Sequence, residues 1–373
     1  MKRKNNGILF LIVFGFITIY SLISTLLPDK EFSENENKYL AQMPKLTWNY
    51  LVDGSFSTKY EKYIAEQFML RDEWITTKSV TEYLLLKSEN NGVIYGKDGY
   101  MFPKFYSFDD KTLNANLEAV DAFSFSALSN VYVMIVPSSY YPLTDKLPAG
   151  TPVVDEGFFI PEINSYLSNS TTPVSVLDAL NANCDKYIYY RTDHHWTTYG
   201  AWLGYSRFAS EAGLSPIFNY NTETPNKVEG FLGTSYSKCK FFKAIPDTIE
   251  YFDFDGRILR DDTVYEGIYN LEQFEKRDKY SAFLYGNSGY SEIETEYSIN
   301  KNDSILIIRD SFADSFVPFL TEHYNKIVLI DPRYYNGSYA ELANTPYSDI
   351  LILFGFEDFS TEKAISKLGN LSE

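Results

Sequence analysis

From Gly7 to Leu27 the chain carries no charged side chain: GILFLIVFGFITIYSLISTLL. At the rise of an α-helix this run reaches about 31 Å, the thickness of a bilayer's hydrocarbon core. Lys2, Arg3 and Lys4 precede it, and Asp29 follows. Cations on the N-terminal side alone predict a single-pass anchor in the plasma membrane, with residues 1–6 cytoplasmic and the body extracytoplasmic. A cleaved signal peptide is the competing reading. Its apolar core is typically about 7–15 residues and ends at a small-residue site. Here the run is longer, and Ser24-Thr25-Leu26-Leu27-Pro28 offers no such site.

An anchored chain leaves a body to be folded outside the membrane. Residues 28–55 are polar and read as a tether. Residues 56–373 are long enough for one large α/β domain, with an irregular, partly β insertion at about 215–300. The 32 Tyr and 28 Phe supply ample core, and some rings could stack on sugars. The net charge of −17 argues against nucleic acid as a partner, because phosphate binding needs a basic footprint. An exported location permits a disulfide between Cys184 and Cys239, but two cysteines make no framework. Without a Cys/His cluster, no structural zinc site is expected.

Helical apolar spacing predicts one or two helices over Phe56–Ser79. Val93–Tyr95 and Tyr100–Phe102 flank Gly96-Lys97-Asp98-Gly99 and read as a hairpin. Leu113–Leu128 reads as a helix. Val131–Val136 is an apolar run suited to a buried parallel strand. Tyr187–Tyr190 reads as a short strand and Thr198–Ala212 as a helix. The C-terminal third alternates: strand Ser304–Ile308, helix Phe312–His323, strand Ile327–Ile330, helix Ala340–Ala343, strand Asp349–Phe354. That alternation predicts a parallel sheet flanked by helices.

Only three histidines can serve as a base near neutral pH: His194, His195 and His323. His323 ends a predicted helix, where a cation suits the dipole. In Asp193-His194-His195 a carboxylate one residue away from an imidazole can accept its Nδ1 proton and leave Nε2 free as a base. Asp193 would then orient and His195 would act. The alternative is a helix cap with structural imidazoles. A metal site on these three residues is disfavoured, since neighbours on a strand point to opposite faces. Ser311 lies between an apolar strand and a predicted helix, where backbone N–H groups could stabilise an oxyanion. It could equally be an ordinary N-cap.

Arg309-Asp310-Ser311 resembles the nucleophile motif of the SGNH hydrolase superfamily, and Gly355-Phe356-Glu357-Asp358 resembles its Gly-x-Asn-Asp block. Here the Asp-His segment precedes the serine, and Val131–Val136 with Pro137-Ser138-Ser139 looks like a later strand of that fold. The order reads as a circular permutation. Asp193-His194-His195-Trp196 is the name-giving motif of the DHHW family, related to the periplasmic alginate O-acetylation proteins. Phe32-Ser33-Glu34-Asn35-Glu36-Asn37, Tyr95–Phe102 and Gly230-Phe231-Leu232-Gly233-Thr234 match it too. The resemblance implies a permuted SGNH-like sheet and a Ser311, His195, Asp193 triad without metal or cofactor. It also implies O-acetyl transfer to an exported polysaccharide, with a multi-spanning membrane-bound acyltransferase as acetyl donor. Glu357 departs from the pattern, because an ionised carboxylate cannot donate where the superfamily has Asn. Arg333, Asn336 and Asn287 are the candidate replacement donors, and Trp196 and Tyr199 are further candidates for contact with substrate. The same triad could act as an acetyl esterase. Glu357 also motivates a third reading, a non-catalytic glycan-binding or assembly protein of the envelope.

Overall fold

The computed structural model describes residues 2–33, 38–215, 217–296 and 300–371. Glu34–Asn37 of the matched motif lie outside the described residues. The chain divides into two compact units. One holds the residues up to Leu86 with Cys239–Phe242, and the other holds Lys87–Lys238 and Lys243–Glu373. Residues 56–86, read in the sequence as the start of the domain, group with the N-terminal segment.

In the first unit, α1 (Lys2–Leu26) contains Gly7–Leu26 with mean hydropathy 2.3 and no buried residue. It is long and apolar enough to cross a membrane, consistent with a single-pass anchor. β1 (Phe32–Ser33) pairs with β2 (Lys38–Tyr39). α2 (Trp48–Val52), α3 (Ser55–Glu66) and α4 (Arg71–Leu84) follow. The break between α3 and α4 falls at Leu70, whose φ of 55° cannot continue a right-handed helix.

The second unit opens with a three-stranded meander: β3 (Glu89–Asn90), β4 (Val93–Tyr95) and β5 (Met101–Pro103). Asp98 and Gly99 take positive φ between β4 and β5, as the glycine turn requires. The central sheet uses β6 (Asn130–Val136), β7 (Thr172–Pro173), β10 (Arg257–Arg260), β11 (Thr263–Glu266), β12 (Tyr290–Glu294), β13 (Asn300–Arg309), β14 (Tyr324–Ile330) and β15 (Asp349–Gly355). Their order is β11-β10-β12-β14-β13-β15-β6-β7. β14, β13, β15, β6 and β7 are parallel; β12, β10 and β11 continue antiparallel. Ile305–Ile308, Ile327–Ile330 and Ile350–Leu353 are all buried, so both sheet faces are covered. The stretch from 215 to 300 is thus not a separate appendage. Three of its strands extend the sheet, and only β8 (Asn226–Phe231) and β9 (Asp247–Tyr251) pair by themselves.

The serine strand β13 comes late in the chain yet sits centrally in the sheet, between β14 and β15. Helices α5 (Asp110–Ser126), α6 (Glu156–Leu167), α7 (Leu177–Asn181), α8 (Thr198–Glu211), α9 (Thr234–Cys239), α10 (Tyr339–Asn344) and α11 (Phe356–Thr361) complete the structure. Phe312–His323 is not the α-helix expected. It forms two 3-10 turns, Ser311–Ser315 and Val317–Leu320, because Pro318 has no N–H to give to a helical ladder. Tyr187–Tyr190 is not a strand either; a single bridge joins Tyr189 to Trp196. His323 is buried and shares a hydrogen bond with the Tyr205 hydroxyl at 2.7 Å. Burial lowers its pKa, so it is not the cationic helix end the sequence suggested. Both cysteines are free thiols.

Candidate active site

The loop carrying Asp193 is built on one buried carboxylate. Asp247, on β9, accepts from Arg191 N at 2.9 Å, Thr192 N at 2.8 Å and the Thr192 hydroxyl at 2.6 Å. Tyr187 donates its hydroxyl to the same group. After the loop, Thr197 caps α8 by accepting from Gly200 N. The chain is therefore pinned on both sides of Asp193-His194-His195-Trp196.

Within the loop Asp193 uses both oxygens. Oδ1 accepts from His195 N at 3.0 Å and pairs with His195 Nδ1 at 2.6 Å. Oδ2 accepts from Thr234 N at 2.7 Å and from the Thr234 hydroxyl at 3.0 Å. His195 Nε2 lies 2.7 Å from Ser311 Oγ. With the Nδ1 proton held by Asp193, Nε2 is the acceptor for the serine hydroxyl. The structure thus brings Ser311, His195 and Asp193 into one continuous chain of hydrogen bonds.

Electrostatics follow from this geometry. Burial alone would raise the Asp193 carboxyl, but the His195 and His194 charges and the hydrogen bonds hold it well below the usual range. Burial opposes a charged His195, yet Asp193, with Asp314 and Asp310 behind it, raises its pKa. His194, 39 % exposed in its side chain, is pushed down to about 3, first by desolvation in the cleft and then by His195. It shares a hydrogen bond with the Thr234 hydroxyl through Nδ1 and lies against the His195 ring, centroids 3.8 Å apart.

The serine turn is equally constrained. Asp310 accepts from Phe312 N at 2.8 Å and from Gly355 N at 2.7 Å, which ties the turn to the end of β15. Burial, then the nearby Asp358 charge, pushes the Asp310 carboxyl up. Fully buried Arg309 meets Asp314 at 2.8 Å and donates to the Asn287 carbonyl. The Tyr280 hydroxyl donates to Ser311 O at 3.0 Å, and its ring lies flat on His195, centroids 4.0 Å apart at 8°. Among the described residues no acceptor takes the Ser311 N–H.

The other sequence candidates are placed differently. Trp196 does not wall the site. It is fully buried, and its indole donates to Phe312 O at 2.9 Å, locking the histidine loop to the serine turn. Tyr199 meets Lys186 and Asn183 in a separate aromatic group with Trp202 and Tyr220. Asn336 is exposed and donates to Tyr334 O. Asn287 has its carbonyl on Arg309 and supports the turn from behind. Arg333 is forked onto both oxygens of Asp331 at 2.7–3.2 Å through Nε and Nη2, and its Nη1 lies 3.5 Å from Asp358 of the cleft. The residues that sequence reading missed are Tyr280, Thr234, Asp247 and Asp314. None lies in a recognisable motif except Thr234, which closes the glycine block noted above.

A cleft of about 130 Å³ opens beside this group, lined by Ser138, His194, Lys238, Phe312, Glu357 and Asp358 among others. It lies at the carboxyl ends of β6, β13 and β15, where open α/β sheets bind ligands. Burial in the cleft raises the Glu357 carboxyl, Lys238 opposing. Asp193, His194 and His195 offer ligand atoms within 4.8 Å of one another. Asp193 Oδ1, His195 Nδ1 and His194 Nδ1 each have a hydrogen-bond partner within the protein.

Residues 87–330, the serine and histidine segments included, match the sequence family described as DHHW protein. The chain belongs to the DHHW family. A DHHW family protein from Eubacterium siraeum superposes with a TM-score of 0.64 at 26 % identity, covering 76 % of this chain and 98 % of that one. Bacillus cereus PatB1 superposes with a TM-score of 0.57 at 18 % identity, covering 74 % and 99 %. The O-acetyltransferase domain of Pseudomonas putida AlgJ gives 0.46 at 12 %, covering 76 % and 100 %. No curated protein sequence matches. The family's tetrapeptide is the loop just described, with each of its four side chains engaged.

Proposed function

We propose that this DHHW protein is a membrane-anchored O-acetyltransferase that acts outside the cytoplasm on an exported cell-surface polysaccharide. The observation that carries the proposal is the hydrogen-bonded chain Ser311–His195–Asp193, at 2.7 and 2.6 Å, beside an open cleft. Membership of the DHHW family, through the O-acetyl transfer that its resemblance to the alginate O-acetylation proteins implies, supports the choice of group. The N-terminal cations support an orientation with the N-terminus in the cytoplasm and the body across the membrane.

Ser311 Oγ attacks the acetyl carbonyl of the donor while His195 Nε2 takes its proton. The Ser311 N–H is the candidate donor to the developing oxyanion, and the Lys238 ammonium of the neighbouring cleft adds positive charge. The donor's leaving group takes the proton back as it departs, leaving acetyl-Ser311. A sugar hydroxyl then gives its proton to His195 Nε2 and attacks the ester, and Ser311 leaves reprotonated. Asp193 holds the imidazole in one tautomer and stabilises its charged form. The acetyl donor is a multi-spanning membrane acyltransferase, beside which the anchor keeps the domain.

The test uses full-length protein in detergent with p-nitrophenyl acetate. Intact mass should show one acetyl adduct that is absent in Ser311→Ala. Faster loss of the adduct with oligosaccharide, with acetylated sugar formed, supports transfer. Loss to water alone identifies an acetyl esterase, and no adduct in folded wild type overturns the catalytic reading.

A further inference from the structure

The connection between α3 and α4 is apolar at its tip, Phe68-Met69-Leu70, where surface turns are ordinarily polar. Leu70 is 55 % exposed, and Trp74, one turn into α4, is 47 % exposed. All of these residues belong to the N-terminal unit with α1, and they contact it at one level. The Tyr20 ring packs on Phe68 at 5.0 Å, and its hydroxyl accepts from the Trp74 indole at 2.9 Å. Tyr20 also donates to Met69 O, and Ser24 Oγ accepts from Met69 N at 3.3 Å. The backbone N–H and C=O at the tip are therefore both satisfied by side chains of α1. That is the condition for irregular backbone to sit where there is no water.

Depth follows from helix geometry. Tyr20 lies six residues before Leu26, the last residue of α1, which is about 9 Å along the axis. If Gly7–Leu26 fills a core of about 30 Å, Tyr20 lies about 9 Å inside its outer boundary. Interfacial helices insert their apolar faces about 5–10 Å, the same level. Arg71, beside the tip, donates to Ala65 O.

We infer that Phe68–Leu70 and Trp74 form an interfacial foot that enters the outer leaflet next to the anchor, its partner being lipid acyl chains and headgroups. The inference rests on the reading that α1 spans the membrane. A second insertion point beside a single helix fixes the direction in which the chain leaves the bilayer.

The full chain in a Cys184→Ser background is reconstituted in phosphatidylcholine–phosphatidylglycerol vesicles. One cysteine at a time, introduced in place of Leu70, Ile12 or Ser126 beside the buried Cys239, carries an environment-sensitive fluorophore. The label at residue 70 should be quenched by lipid-borne nitroxide as strongly as that at 12. Its iodide quenching constant should be at least several-fold below that at 126, the water-exposed reference. Iodide quenching at 70 equal to that at 126 overturns the inference. So does shielding from both quenchers, which would mean protein covers the tip. A label at 12 that lipid nitroxide does not reach overturns the anchor itself, a failure distinct from the other two. Tyr20→Phe, which removes the hydroxyl bonds to the tip, should raise iodide quenching at 70 and leave residue 12 unchanged.

Discussion

Gly233 offers a substitution whose effect can be worked from contacts. Its backbone lies outside the left-handed region, so alanine brings no torsional strain. A Cβ there would stand 2.6 Å from Asp193 Cγ and closer still to its Oδ2 and Cβ. Ordinary contact begins near 3.4 Å, so the carboxylate or the loop must yield by about 1 Å. Asp193 has little freedom to yield. It is 1 % exposed and bound at both oxygens by His195 and Thr234. Displacing a catalytic group by about 1 Å can cost roughly 10²-fold, or about 2.7 kcal/mol of transition-state stabilisation. Gly233→Ala should therefore acylate Ser311 about 10²-fold more slowly with p-nitrophenyl acetate while melting cooperatively. Gly230→Ala is the control. Its φ of +74° with open space around it predicts a loss of about 1–2 kcal/mol in stability and normal acylation per folded molecule. A folded Gly233→Ala that acylates within about threefold of wild type would refute the reasoning.

Other outcomes follow from the same contacts. In the proposed mechanism neutral His195 is the base, and its pKa is raised, so wild-type acylation should climb with pH through a midpoint above the usual value of about 6.5. Asp193→Asn should move that midpoint down and slow acylation by on the order of 10⁴-fold, read from the pH profile of kcat/KM. Tyr280→Phe keeps the ring on His195 and should stay within a few-fold of wild type, whereas Tyr280→Leu should lose about tenfold by single-turnover kinetics, about 1.4 kcal/mol. Trp196→Phe removes the bond to Phe312 O and leaves a gap, which should cost about 1–3 kcal/mol in a denaturant melt.

What was legible in the sequence was local chemistry. The uncharged run, the buried strands of the C-terminal third and the pairing of Asp193 with His195 all depend on residues close together in the chain. Position relative to water and across the sheet was not legible. Trp196 looked like a contact for substrate because a tryptophan beside a histidine pair is ambiguous until its indole finds Phe312 O. Arg333 was named as a donor without its partner Asp331, two residues away, being recognised. The helix expected after Ser311 failed at Pro318, a local signal that the apolar spacing of Phe312–His323 had outweighed. Tyr280 and Asp247 had no signal at all. They lie in the 215–300 stretch, whose strands join the sheet through pairings that no short motif encodes.

The tetrapeptide makes sense once each side chain is followed to its partner. Asp193 reaches Thr234 after β8, His195 reaches Ser311 after β13, and Trp196 reaches the carbonyl of Phe312. His194 returns to Thr234, which closes a ring around the same carboxylate. Four consecutive residues thus bind two segments that lie about 40 and 116 positions away, as the hydrogen bonds to Thr234 and Ser311 record. A loop with that many fixed partners tolerates little change in its own residues, but it does not dictate where in the chain the partners come. Permuting the order of strands therefore leaves the site intact so long as the carboxyl ends of β6, β13 and β15 stay side by side. The registers that pair Leu306 with Ile350 and Ile350 with Val131 keep them there.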